Sequence, residues 1–162
     1  IEFRRAYGFQ NDYLSRFLGL NGKLSEIHAA LACLTVGDVE RVVEARTTKA
    51  ARYRERLSRV AGLELQQHLA GCRSAYKDFA ILCPDRRDAL AESLAREGIQ
   101  TKTYFRPLHA MPFFASHRSK GDDLRDTESV AERILCLPMF NDLADSDIDR
   151  VCERVAGFYG RA

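Results

Sequence analysis

The sequence predicts an α+β domain, with helices on one side of a small, mostly antiparallel sheet. Three observations carry the prediction. Apolar residues recur at helical spacing in residues 24–34, 39–60 and 145–158. Between the last two of these lie short apolar runs bounded by glycine and proline, which read as strands. The 162 residues are 46% hydrophobic and 30% charged, the composition of one ordinary globular domain.

The opening, residues 1–22, is aromatic and basic, with glycines at 8, 19 and 22, and reads as turns and loop. Leu24, Ile27, Leu31 and Leu34 then form one helical stripe, with Ser25 placed to cap it. Gly37 is expected to end that helix and Asp38 to cap the next. The second helix is expected over residues 39–60, with Val39, Val42, Val43, Arg46, Ala50, Tyr53, Leu57 and Val60 on its stripe. At ~1.5 Å per residue it would be roughly 30 Å long, enough to bridge one face of a domain.

From Gly62 the period changes. Residues 63–65 alternate as a short strand, and residues 76–83 form a second, stopped by Pro84. Asp85 or Arg86 opens a helix bearing Ala89, Leu90 and Leu94, and Gly98 ends it as a C′ glycine. Residues 99–104 predict a third strand. A loop with Pro107 and Pro112 runs to about residue 126, a helix covers 127–134 and residues 135–139 make a short fourth strand or extended segment. The last helix opens near Asp145 and buries Ile148, Val151, Val155 and Phe158. The predicted order is two helices, then β-β-α-β-α-β-α.

A net charge of +2 selects neither nucleic acid nor membrane. The longest uncharged stretches, residues 27–37 and 107–117, fall well short of the roughly 20 residues of a spanning helix. No basic-then-apolar leader opens the chain, and it begins at Ile1 rather than Met, so a cropped chain is expected. The cysteines at 33, 72, 83, 136 and 152 contain no C-x-x-C pair and propose no metal site. Cys33, Cys83, Cys136 and Cys152 sit in apolar runs and read as buried reduced thiols, which points to the cytoplasm.

Three segments are candidates for chemistry. In residues 19–26 a glycine-rich turn leads to a helix start, where free backbone N–H groups and the helix dipole favour an anion. Asn21 and Gly22 supply neutral donors and Lys23 a charge, so a phosphate is the natural ligand, against the plainer reading of a capped helix. In residues 103–109 a strand delivers Tyr104, Arg106 and His109 to a proline-stiffened loop. Arg106 can pair an anionic substrate and His109 can hydrogen-bond or carry a proton, against the plainer reading of a surface turn. The third is the basic helix, with Arg41, Arg46, Lys49, Arg52, Arg54, Arg56 and Arg59. Its charges spread around the cylinder among glutamates and read as a solvated face with i, i+4 pairs. His28 reads as a packed or partner-facing histidine.

The run Gly-Leu-Asn-Gly-Lys-Leu-Ser-Glu-Ile-His-Ala-Ala at 19–30 resembles the helix-entry motif of the DegT/DnrJ/StrS-type nucleotide-sugar aminotransferases. The resemblance continues in register through residues 7–9, Arg46 and Tyr53, residues 98–99, 107–109 and 137–138, and the Asp147-Ile148 helix. It implies aminotransferase fold type I, with residues 1–24 entering the domain, residues 25–162 forming its small C-terminal domain, and the large lysine-bearing domain absent. It implies pyridoxal 5'-phosphate in the full-length enzyme and transfer of an amino group from glutamate to a nucleotide-linked keto-deoxysugar. Asn21, with Gly22 and Lys23, matches the position that reaches the cofactor phosphate of the neighbouring subunit, which implies a homodimer. Tyr104, Arg106 and His109 match a loop near the nucleotide-sugar site. The lysines stand at 23, 49, 77, 102 and 120, and none matches the Schiff-base position, so this chain alone is expected to be inactive. Apolar residues around Phe3, Tyr7, Phe9 and Phe17 would then be exposed and drive association. The competing reading is a stand-alone nucleotide- or nucleic-acid-binding α+β module that uses the basic helix 39–60.

Overall fold

The computed structural model describes residues 4–7, 17–104, 106–115 and 123–160. These fall into two compact units that divide between Glu40 and Arg41.

The first unit opens with a tight crossing of two segments. Ala6 and Asn21 form an isolated antiparallel bridge. The Leu20 N–H donates to the Arg4 carbonyl at 2.9 Å and the Gly22 N–H to the Arg5 carbonyl at 2.8 Å. Helix α1 then begins at Glu26. Ser25 caps it as expected, its Oγ accepting the His28 N–H at 3.3 Å and lying 2.6 Å from His28 Nδ1.

Helix α1 is Glu26–Leu57, a single helix of 32 residues. Two helices were expected, broken at Gly37. A lone glycine costs a helix only about 1 kcal/mol against alanine, and the strong helix formers on either side carry the hydrogen-bond ladder through it. The helix also ends at Leu57 rather than at Val60.

The second unit holds the core. Strands β1 (Glu64–Leu65), β2 (Phe79–Leu82) and β3 (Ile134–Leu137) form an antiparallel sheet in the order β1-β2-β3. Phe79 pairs with Leu137 and Ile81 with Leu135, so these four side chains share one face. That face meets Ala50, Tyr53 and Leu57 of α1, Leu90 and Leu94 of α2 (Arg87–Arg96), and Ile148, Val151 and Val155 of α5 (Asp145–Tyr159). The Tyr53 ring stacks on Phe79 with centroids 4.7 Å apart. No polar or charged residue is buried among the described residues.

Gly98 performs its expected task. At φ +74 it follows α2, donating its N–H to Ala95 O at 2.9 Å while Ile99 donates to Leu94 O at 2.9 Å. This is a Schellman ending, which needs the left-handed conformation glycine adopts without strain.

The expected third strand at 99–104 is reduced to one rung. Lys102 and Cys136 exchange two backbone hydrogen bonds, 3.1 and 2.8 Å, on the outer edge of β3. Beyond the rung the chain turns toward Pro107, whose missing N–H cannot extend a ladder. The following segment holds a 3-10 turn, Leu108–Ala110, and a short helix α3, Pro112–Ala115, neither of which periodicity anticipated. Helix α4 is Arg125–Arg133.

Charge pairing on α1 also differs from expectation. Arg52 reaches α5, donating to both oxygens of Asp149 at 2.6 Å and to Asp145 at 3.1 Å, and Arg56 joins Asp149 at 2.7 Å. For Arg52 and Arg56 the acidic partners come from a distant element, α5, where a sequence reading looks along the helix itself. Arg46 likewise donates from Nε to Asn141 Oδ1 at 2.8 Å. Cys83, Cys136 and Cys152 are buried, but Cys33 is exposed along with Cys72. The apolar run around Cys33 lies on the exposed part of α1, with Leu31 and Leu34 57% and 74% exposed.

Candidate functional site

The two expected binding segments lie in different units. In the first unit, Asn21, Gly22 and Lys23 are exposed. The Gly22 N–H is already donated to Arg5 O, and its second contact is Leu20 O at 3.0 Å. The expectation of free backbone donors in the turn therefore fails at Gly22. A Cβ there would stand 3.2 Å from Arg5 Cβ and 3.0 Å from Leu20 Cδ1, so glycine serves the close crossing of the two segments. The side chains offer an anion the Asn21 amide and the Lys23 ammonium, which sits 5.1 Å over the Tyr7 ring. An amide beside an ammonium suits phosphate oxygens, so on donor chemistry these residues fit a phosphate-bearing cofactor.

In the second unit a cleft of ≈ 490 Å³ is lined by Tyr104, Arg106, Arg87, Pro107, Glu128 and Glu132, among others. Tyr104 is fixed from below. Its hydroxyl donates to Asp78 Oδ2 at 3.0 Å, and Lys102 Nζ lies 5.7 Å from its ring centroid. Burial, then the bond to Asp78, pushes its phenol up to about 12. The hydroxyl thus stays protonated at neutral pH and offers a lone pair rather than a charge. Arg106 is exposed at the rim.

His109 takes a different place. Pro107 starts the 3-10 turn, and the Ala110 N–H returns to Pro107 O at 2.9 Å. This turn swings the imidazole to α4, where Nε2 meets Glu128 Oε1 at 3.2 Å. The cleft wall is Glu128, with His109 behind it.

Three charged residues of the cleft, Arg87, Glu128 and Glu132, were not singled out in the sequence. Arg87 opens α2, and its Nη1 donates to Ile134 O at 3.0 Å. Glu128 and Glu132 stand one turn apart on α4, which puts both carboxylates on the same helix face. The i, i+4 spacing was visible, but that this face meets Tyr104 and Arg106 depends on tertiary packing. Of the other histidines, His28 bonds Ser25, and His68 Nε2 lies 2.8 Å from Tyr76 Oη. No cluster of metal-ligating side chains occurs among the described residues. No described helix is long and apolar enough to cross a membrane.

Comparison with known proteins defines the class. The chain belongs to the DegT/DnrJ/EryC1/StrS aminotransferase family, whose model matches residues 1–156. Pyridoxal 5'-phosphate is the cofactor that this membership implies for the full-length enzyme. Among curated relatives, a pleiotropic regulatory protein of Geobacillus stearothermophilus is 32% identical, over 96% of this chain and 42% of its own length. The dTDP-4-amino-4,6-dideoxy-D-glucose transaminase of Escherichia coli is 29% identical, over 97% of this chain and 44% of its own. Among solved structures, a family aminotransferase from Brucella abortus is 33% identical, with a TM-score of 0.84 over 94% of this chain and 40% of that one. S. venezuelae DesV, solved in complex with a ketimine intermediate, is 27% identical, with a TM-score of 0.90 over 99% and 43%. The chain thus spans about two fifths of the length of the proteins it matches. The likeness also bears out the α+β small-domain fold expected of fold type I.

Proposed function

We propose that this chain is the C-terminal part of a cytoplasmic transaminase that moves an amino group from glutamate to a nucleotide-linked keto-deoxysugar. The observation that carries the substrate class is the cleft of the second unit, where Arg87 and Arg106 share one space with Tyr104, Glu128 and Glu132. Arginines suit a diphosphate, and carboxylates and a phenol oxygen suit hydroxyls. The Escherichia coli relative, a dTDP-4-amino-4,6-dideoxy-D-glucose transaminase, supports the same class.

When bound, the cofactor supplies the electron sink that amino transfer needs and side chains lack. Asn21 and Lys23 would hold its phosphate from a neighbouring subunit, placing two copies of the chain in one working enzyme. Arg106 would orient the sugar nucleotide through its phosphates. Tyr104, held by Asp78, would present an acceptor oxygen to a sugar hydroxyl. Leu24, Ile27, Leu31 and Leu34 are each more than half exposed, an apolar stripe that supports association.

The test is spectroscopic. Mixed with pyridoxal 5'-phosphate, this chain should show no visible band of lysine-bound cofactor. A protein extended by a lysine-bearing large domain should show that band, and lose it when glutamate is added. An extended protein that stays colourless overturns the proposal.

A further inference from the structure

We infer that the second unit carries a further ligand site, for a free α-amino acid with an apolar side chain, in a hollow beside the start of α5. The hollow shares no lining residue with the cleft of Tyr104 and Arg106.

The hollow has a volume of ≈ 380 Å³, within the range of small-molecule pockets. Its floor is apolar and buried, with Ile99 6% exposed, Leu143 5% and Val151 3%. Phe140 stands beside them as a wall and is 50% exposed. A half-wet ring next to a buried apolar floor gains burial when an apolar group fills the space between them.

Two opposite charges stand on the rim. Asp147, Arg150 and Val151 follow one another at i, i+3 and i+4 on α5, so they share a helix face. Charges so spaced can pair along the helix, yet neither residue is ion-paired among the described residues. Arg150 instead donates from Nη2 to the Glu97 carbonyl, just beyond the end of α2. A guanidinium has five N–H donors in a fixed fork, so this bond leaves donors for an anion. The Asp147 carboxylate accepts only, and Gln100 adds an amide to the same rim.

This charge pattern selects the ligand. A simple amine would meet Asp147 but also face Arg150, and a simple carboxylate would meet the reverse. An α-amino acid carries both charges on one carbon at neutral pH. Its ammonium donates to Asp147, its carboxylate accepts from Arg150, and its side chain enters the hollow against Phe140, Leu143 and Val151. The inner residues of a peptide lack both charges and are not held this way. The Phe140 ring favours an aromatic side chain, since ring pairs contribute beyond the area they bury.

NMR titration of the 162-residue chain tests this with L-phenylalanine and two analogues that each lack one charge, phenethylamine and 3-phenylpropanoate. L-phenylalanine should move the methyl signals of Ile99, Leu143 and Val151. Each analogue should bind about tenfold more weakly, the loss expected for a hydrogen bond to a charged group. L-alanine, with both charges and almost no side chain, should also bind far more weakly than L-phenylalanine. Asp147→Asn should weaken L-phenylalanine about tenfold and leave 3-phenylpropanoate within about twofold, and Arg150→Gln should weaken it as much and spare phenethylamine. Methyl signals that stay still at millimolar L-phenylalanine overturn the inference. An analogue or L-alanine binding as tightly as L-phenylalanine overturns it too, in a comparison that needs no variant. The same holds for an L-phenylalanine affinity unmoved by either substitution.

Discussion

Tyr53 on α1 donates its hydroxyl to the Pro138 carbonyl at 3.0 Å, although its ring is fully enclosed in the core. The bond ties α1 to the segment that leaves β3. It also satisfies a polar group that would be costly to bury alone, and burial holds the phenol well above its ordinary range. Tyr53→Phe should therefore cost about 1 kcal/mol, more if the Pro138 carbonyl is left without a partner. For a chain of this size that is roughly a 2–4 °C fall in melting temperature, readable by circular dichroism.

Two glycines should respond to alanine in opposite directions. Gly98 has φ +74, and a methyl added there would meet only open space, so Gly98→Ala strains the backbone without a clash. It should destabilise by about 1 kcal/mol. Gly37 also has open space and sits inside α1, where Gly37→Ala should stabilise by about 0.5–1 kcal/mol. Paired thermal melts check the sign of each.

The Asp149 carboxyl should set part of the acid sensitivity. Its hydrogen bond to Arg52 holds it below the ordinary 3.8. A depressed folded-state value adds stability above the unfolded value and loses it as pH falls through the folded one. Melting temperature should thus decline below about pH 4, and Asp149→Asn should flatten that decline while lowering stability at neutral pH. Raised salt should shrink the difference, since these groups are only partly shielded from water.

Thiol chemistry should split the five cysteines into two groups. Cys33 and Cys72 are exposed, whereas burial pushes the Cys83 and Cys136 thiols up and Cys152 to about 12. Titration with a chromogenic disulfide should find two fast thiols in the native chain, and the remaining three only after unfolding.

The last helix, the Ser25 cap and the Gly98 ending were legible because each depends on a few neighbouring residues. Ile148, Val151 and Val155 advertise their face by spacing alone. Cys33 shows the limit of that signal: periodicity marks an apolar face but not whether this chain covers it. The 99–104 strand fell to a single rung because pairing depends on β3, more than thirty residues away. A strand running into a proline-stiffened loop marks Tyr104 and Arg106 as candidates, and both line the cleft of the second unit. Glu128 drew no notice in the sequence because its contact His109 stands 19 residues earlier, and only the fold joins them.

Helix α1 has one further consequence. Its last turns are enclosed, with Ala50, Tyr53 and Leu57 at zero exposure, while its first half is bathed in water. Starting a helix is costly, but adding a residue to an existing one is nearly free. The enclosed turns act as a permanent nucleus from which the wet half grows. Leu24 lies just before that half and Ile27, Leu31 and Leu34 ride on it, so the exposed apolar stripe is held in helical register by turns that lie far along the chain from it.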